Sequence, residues 1–130
     1  MYLEFIPEGS RYCPLVILYP SIPEEAEKLY QALSNLVADN SAVVDIHALP
    51  FISPVDGCRL SAQVSDKDIG AVLIENTENH FTWQLTRQEW EFALELLYPF
   101  TEPDYSGYQW LDDSASSEIA VLITAYNRQW

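Results

Sequence analysis

The sequence predicts an α+β fold, in which a mainly antiparallel sheet of about six to eight strands is flanked by two amphipathic helices. Apolar residues recur at helical spacing in two stretches, one after Ser21 and one after Thr86. Short alternating or continuously apolar runs occupy much of the remaining chain, and they do not alternate regularly with the helices. Because the 130 residues contain no internal repeat and no linker, we expect a single domain over residues 1–130.

The first third of the chain predicts two strands and a helix. Residues 1–6 alternate loosely, and residues 15–19 are continuously apolar, which is typical of a strand that is covered on both faces or central in the sheet. Ser21 is the predicted cap of the helix, with Pro23 in the first turn and Glu24 at the third helical position. The helix then places six residues on one apolar face: Ala26, Leu29, Tyr30, Leu33, Leu36 and Val37.

The middle of the chain predicts short strands joined by polar turns. A strand over residues 42–48 precedes a loop over residues 49–57, which contains two prolines and a glycine. Residues 58–64 alternate cleanly, and residues 71–74 form a further short apolar run. A polar loop over residues 75–79 leads into the next strand, so these segments predict an antiparallel meander.

The stretch from His80 to Phe100 is the predicted structural centre, because one strand turns directly into one helix there. Phe81, Trp83 and Leu85 alternate with polar residues, as in a strand with one buried face. Thr86 ends the alternation and, with Glu89, predicts a capping box. Trp90, Ala93, Leu94, Leu97 and Tyr98 follow on one helical face. Two further strands are predicted at residues 108–111 and 119–125.

The net charge restricts the class of partner. Twenty Asp and Glu residues stand against six Lys and Arg, which gives a formal charge of −14. Such a chain repels phosphate backbones and anionic lipid, so we expect no nucleic-acid or membrane-surface role and instead a basic protein partner. No basic N-terminal region and no apolar run of about 20 residues is present, which predicts a cytoplasmic protein.

No residue pattern predicts catalysis, a metal or a cofactor. His47 and His80 are the two histidines, and no cysteine or histidine cluster surrounds either. No nucleophile elbow and no glycine-rich phosphate loop is present, and the alternative left open is a Ser or Cys nucleophile with His47 or His80 as its base. We therefore expect that the protein is not an enzyme and holds no metal or cofactor. Cys13 and Cys58 are expected to be two buried free thiols, with a disulfide between them as the alternative.

The segment from Glu102 to Glu118 is the predicted partner-binding site. Between Arg87 and Arg128 there is no Lys or Arg, and eight carboxylates lie in that interval. Aromatic residues ringed by carboxylates are typical of a hot spot for a basic partner. Two alternatives remain: Tyr108 and Trp110 lie on the inner side of a strand, or the acidic residues only solvate the surface. The residues predicted to bind the partner are Glu102, Asp104, Tyr105, Tyr108, Trp110, Asp112, Asp113 and Glu118.

Three segments resemble the small acidic immunity proteins with which bacteria neutralise secreted or contact-delivered toxins. They are the strand and T-x-x-E-W helix of residues 85–98, the G-Y-Q-W-L-D run of residues 107–112, and the apolar strand of residues 119–124. The resemblance implies a non-enzymatic inhibitor that binds one cognate toxin, commonly a basic nuclease. The alternatives are an adaptor or interaction module of another pathway, and a small enzyme or small-molecule-binding domain.

Overall fold

The computed structural model describes residues 1–7, 14–39, 42–112 and 119–125, which form two α-helices and nine strands. The helices are α1 (Glu24–Ala38) and α2 (Arg87–Leu97). The strands are β1 (Tyr2–Ile6), β2 (Leu15–Tyr19), β3 (Val43–Asp45), β4 (Ser53–Pro54), β5 (Arg59–Val64), β6 (Gly70–Leu73), β7 (His80–Leu85), β8 (Tyr108–Asp112) and β9 (Ala120–Thr124). Short 3-10 turns cover Ile46–Ala48, Val55–Gly57 and Tyr98–Thr101. The predicted α+β class with two helices is confirmed.

The strands form two mixed sheets rather than one mainly antiparallel sheet, so that part of the prediction is wrong. The first sheet has the order β4-β1-β2-β9-β8, and the second has the order β3-β5-β7-β6. The pairs β1–β4, β2–β9 and β5–β7 are parallel, and the other pairs are antiparallel. Parallel partners need a crossover connection and are therefore distant in sequence, so local alternation does not reveal them.

The strand count is also higher than predicted, because β4 lies inside the predicted loop of residues 49–57. This strand has only two residues, and its pairing depends on a hydrogen bond of 2.8 Å from the Ser53 N–H to the Met1 carbonyl oxygen. Pro54 has no N–H to donate, and it is accommodated because β4 is an edge strand. The predicted strand of residues 42–48 is correspondingly shorter, since β3 ends at Asp45 and a 3-10 turn follows.

The predicted meander of β5, β6 and β7 is wrong, because β7 lies between the other two strands. The inward side chains of β7 are Phe81, Trp83 and Leu85, and all three are buried. A strand with two fully buried aromatic rings thus takes a central position in the sheet. The connection from β5 to β6 crosses the end of β7. There the Ser65 N–H donates to the Leu85 carbonyl oxygen at 2.9 Å.

The junction of β7 and α2 confirms the predicted turn from strand to helix. The Thr86 hydroxyl oxygen accepts a hydrogen bond of 3.3 Å from the Glu89 N–H, as an N-cap does. In a capping box the Glu89 carboxylate would accept from the Thr86 N–H. Here the Asp68 carboxylate accepts that hydrogen bond instead, at 2.8 Å. Trp83 and Trp90 are fully buried, and their ring centroids lie 4.6 Å apart. The corner therefore joins β7, α2 and the β5–β6 connection.

The start of α1 differs from the prediction, because Glu25 takes the role assigned to Glu24 and Ser21 does not cap the helix. The Glu25 carboxylate accepts hydrogen bonds from the Ser21 N–H and hydroxyl at 2.8 and 2.9 Å, and it pairs with the Met1 ammonium. Burial raises the pKa of Glu25, but the ammonium and the hydrogen bonds from Ser21 and Ile22 outweigh it, so this pKa lies below its usual range. The interaction joins the first helix to β1.

A main hydrophobic core lies between the two sheets and the two helices. It contains the predicted apolar face of α1, of which Ala26, Leu29, Leu33, Leu36 and Val37 are buried and Tyr30 is partly buried. Leu15, Ile17, Ala120 and Leu122 form a second buried cluster on the other face of the first sheet. The prediction that β2 is covered on both faces is thereby confirmed.

Candidate functional site

The candidate site begins where α2 ends and the chain turns toward β8. Phe100 is buried, and the Tyr105 ring packs edge-on against it with a centroid separation of 4.7 Å. The Glu102 N–H donates to the Pro99 carbonyl oxygen, and the Tyr105 N–H donates to the Glu102 carbonyl oxygen, at 3.1 and 3.2 Å. The backbone of this turn is therefore bonded internally while Glu102, Asp104 and Tyr105 remain exposed.

Gly107 leads the chain from the turn into β8. Its φ of +100° lies in the left-handed region that glycine adopts without steric cost, and its carbonyl oxygen accepts from the Ala125 N–H at 2.9 Å. Tyr108 follows on the edge strand and is 54% exposed. Its ring lies edge-on to Trp110, with centroids 6.5 Å apart. Trp110 itself is half-buried and packs against the second hydrophobic cluster.

Asp112 is turned toward the inside of the protein by a β-bulge. The register of β8 with β9 shifts between Trp110, which pairs with Leu122, and Asp112, which pairs with Val121. Because one extra residue reverses the alternation, Asp112 lies on the side of the main core instead of beside Trp110. There its carboxylate accepts a hydrogen bond of 3.2 Å from the Trp83 indole N–H. The structure thus gives Asp112 a contact between the two sheets.

The predicted partner-binding residues therefore fall into distinct environments. Four of them lie exposed in one short stretch, which we call the acidic turn: Glu102, Asp104, Tyr105 and Tyr108. Trp110 and Asp112 are half-buried and contact the fold. Asp113 and Glu118 lie outside the described residues. For Trp110, the predicted alternative of an inward-facing residue matches its contact with the second cluster.

A second exposed acidic and aromatic surface lies on α2, and it was not predicted from the sequence. Trp90, Ala93 and Leu97 face the core, whereas Phe92 is 53% exposed on the opposite side. Phe92 lines a shallow hollow with Gln88, Glu89, Glu91 and Glu95. The helical spacing of the sequence indicates this exposure, since Phe92 falls outside the apolar face that Trp90, Ala93 and Leu97 define.

The two histidines lie next to each other, with ring centroids 5.9 Å apart. His47 Nδ1 accepts a hydrogen bond of 3.1 Å from the Leu60 N–H. The His47 ring thus bonds the backbone of β5 just beyond the last residue that β3 pairs with. Burial, together with the nearby Arg59 and His47, lowers the pKa of His80, and Asp45 opposes this shift. The neighbouring Ser61 hydroxyl donates to Asp45 at 2.7 Å. These contacts support the backbone of the second sheet.

Cys58 is a buried free thiol, and burial, reinforced by the negative charge of Glu4, raises the pKa of Cys58 to about 12. It is therefore protonated at neutral pH, when a nucleophile would need the thiolate. Its predicted companion, Cys13, lies outside the described residues. Across the described ranges, no group of three or more His, Cys, Asp or Glu side chains is placed to hold a metal ion.

Neither helix in the described part of the chain combines the length and apolar character needed to cross a membrane. No protein-family model matches the chain, and no curated protein or solved structure is significantly similar to it.

Proposed function

We propose that this protein is a bacterial immunity protein, a non-enzymatic inhibitor that binds a basic domain of one cognate toxin, most simply a nuclease. The observation that carries the proposal is the placement of exposed aromatic side chains within the acidic part of the sequence. Phe92, Tyr98, Tyr105 and Tyr108 are each at least 38% exposed. All four lie in the interval between Arg87 and Arg128 that contains no Lys or Arg.

Binding of a basic partner draws on both negative charge and an aromatic anchor residue. A nuclease must be basic where it binds phosphate, so a negative surface accelerates its encounter with an inhibitor. Exposed Tyr and Phe side chains bury a large apolar area on binding and slow dissociation. The acidic turn supplies both, since Glu102 and Asp104 come shortly before the exposed Tyr105 in sequence. The motif resemblance to immunity proteins agrees with this interpretation, and one of its segments, residues 107–112, contains β8.

The first experiment is capture of binding proteins from a lysate of the native strain, at low and high salt, followed by assay of the captured domain. We expect a basic domain whose nuclease activity falls when the protein is added. A captured basic domain that keeps full activity would contradict inhibition and favour an adaptor role. A captured partner without basic character would contradict the electrostatic argument.

The second experiment assigns the contact to the acidic turn. The double variant Glu102→Lys, Asp104→Lys should slow association with the captured domain about tenfold at low salt, because electrostatic steering is lost. The matched control is Glu75→Lys, Glu78→Lys, which makes the same charge change at exposed residues of the β6–β7 loop. Equal slowing by both variants would show that only net charge matters and would contradict the assignment.

A further inference from the structure

The outward face of α2 carries an aromatic ring, Phe92, that is more than half exposed. Gln88, Phe92 and Glu95 follow one another at spacings of four and three residues, so they lie along one side of the helix. The buried residues Trp90 and Leu97 lie on the other side, against the core. Phe92 is therefore available to a partner, and half of its surface is exposed although burial would be favourable.

The side chains around Phe92 determine which partner this face fits. Glu89, Glu91 and Glu95 line the same hollow as Phe92, and Gln88 adds an amide that can donate or accept. In the described part of the chain, the ion pair formed by these glutamates is the one between Glu91 and Arg87, at 3.6 Å. The face is thus an apolar ring with an excess of negative charge around it.

The contact with Arg87 shows that one carboxylate of this face pairs with a guanidinium group. The Arg87 side chain is half-exposed and places its Nε beside the Glu91 carboxylate, one helical turn away. A guanidinium group is planar and weakly hydrated, so it can stack on an aromatic ring and bind carboxylates at its edge at the same time. A lysine ammonium has no planar face, so it loses the stacking contribution.

We propose that this face of α2, made by Gln88, Glu91, Phe92 and Glu95, binds an arginine side chain presented by the surface of a basic protein partner. The guanidinium stacks on the Phe92 ring, and its edge binds Glu95 and, in place of Arg87, Glu91. The inference rests on the proposed function for the identity of the partner, and it adds a second contact, on α2, to the acidic turn.

The test uses the full chain and short peptides whose binding is followed by the backbone amide signals of the protein in NMR titrations. The probes are an acetylated Gly-Arg-Arg-Gly amide and its lysine and citrulline counterparts. We expect the arginine peptide to shift the α2 amide signals, the lysine peptide to bind more weakly, and the uncharged citrulline peptide to leave them unchanged.

The variants separate stacking from charge. Phe92→Leu, which keeps an apolar side chain but removes the ring, should weaken the arginine peptide roughly two- to fivefold and remove its advantage over lysine. Glu95→Gln should weaken both cationic peptides. The controls are Leu73→Ala, at another exposed apolar residue, and Glu75→Gln, at another exposed glutamate, and neither should change binding.

Three results would overturn the inference: equal binding of arginine and lysine peptides, no effect of Phe92→Leu, or signal shifts that lie away from α2. The test is independent of toxin inhibition, which the activity assay of the captured domain addresses. If the arginine peptide binds as expected while no basic toxin is captured, the arginine site stands and the proposed function fails. If inhibition is found but the peptide does not bind α2, the proposed function stands and the arginine site fails.

Discussion

The corner between β7 and α2 and the outer surface that follows it use the same residue types in opposite ways. Trp83 and Trp90 are fully buried, and each indole N–H donates a hydrogen bond, to Asp112 and to the Gln63 carbonyl oxygen. Phe92 and Tyr108 are more than half exposed, although they lie in the same part of the chain. Aromatic residues near each other in sequence therefore separate into core and surface groups according to their helix or strand face.

The largest effect that tests this division is expected from Trp90→Ala. Truncating a fully buried indole leaves a cavity and removes the hydrogen bond that its N–H donates to the Gln63 carbonyl oxygen. The free energy of unfolding should therefore fall by about 3–5 kcal/mol. Phe92→Ala, two residues away on the exposed side, should change it by less than about 0.5 kcal/mol. Urea denaturation of both variants gives the comparison. Similar losses in the two variants would show that the exposed ring is also structural.

The carboxylates divide in the same way, and Glu25→Gln tests the buried group. Removing a charge that binds the Met1 ammonium and Ser21 should lower the free energy of unfolding by about 2 kcal/mol. The exposed neighbour Glu24 provides the control variant Glu24→Gln, for which urea denaturation at neutral pH should show almost no change.

The pH dependence of stability identifies the same group. The pKa of Glu25 is lower in the folded protein than its unfolded value of about 4.3, so the folded state binds fewer protons in this range. Its contribution is therefore present above about pH 4.3 and is lost as the pH falls through the folded pKa. The difference between the native protein and Glu25→Gln should shrink on acidification. A constant difference across that range would contradict the ion pair.

A smaller effect is expected from Asp112→Ala, which tests whether this residue belongs to the core or to the partner surface. Loss of the hydrogen bond from Trp83 should lower the free energy of unfolding by about 1–2 kcal/mol. The rate of association with a basic partner should change no more than in a variant that removes one remote charge, Glu78→Ala. A large decrease in the association rate with an unchanged free energy of unfolding would show that Asp112 belongs to the binding surface.

The smallest effect on stability is expected from Tyr108→Ala, because the side chain is exposed on an edge strand. The free energy of unfolding should stay within about 0.5 kcal/mol of the native value. Dissociation of the partner should nevertheless become faster, since the variant lacks an aromatic side chain that becomes buried when the partner binds. Surface plasmon resonance measures this rate. Unchanged dissociation would remove Tyr108 from the contact.

The sequence predicted what depends on neighbouring residues. Both helices, the Thr86 cap and the doubly covered β2 followed from spacing over a few positions. The parallel pairs, the insertion of β7 and the two-residue β4 depend on contacts between distant segments, for which local periodicity carries no signal. Glu25 was not distinguished from its neighbours, because three glutamates near a helix start all suit the helix dipole.

The candidate site shows the same limit. The exposed acidic turn was predicted from composition, and the structure places Glu102, Asp104, Tyr105 and Tyr108 at the surface. Asp112 could not be placed from sequence, since a β-bulge reverses the side on which a residue lies and no local pattern announced one. Phe92 could have been found, because its position on the helical wheel alone separates it from the apolar face.

The parallel pair of β2 and β9 has a consequence for how the chain is made. Leu15 pairs with Ala120, so β2 cannot pair with β9 until more than a hundred further residues have been synthesised. Until then, an apolar strand lacks one of its two neighbours, which exposes it to misassociation with other chains. Such a distant pairing also slows folding, because loop closure precedes the gain from contact. Newly made protein is therefore expected to need its C-terminal strands before it becomes resistant to proteases.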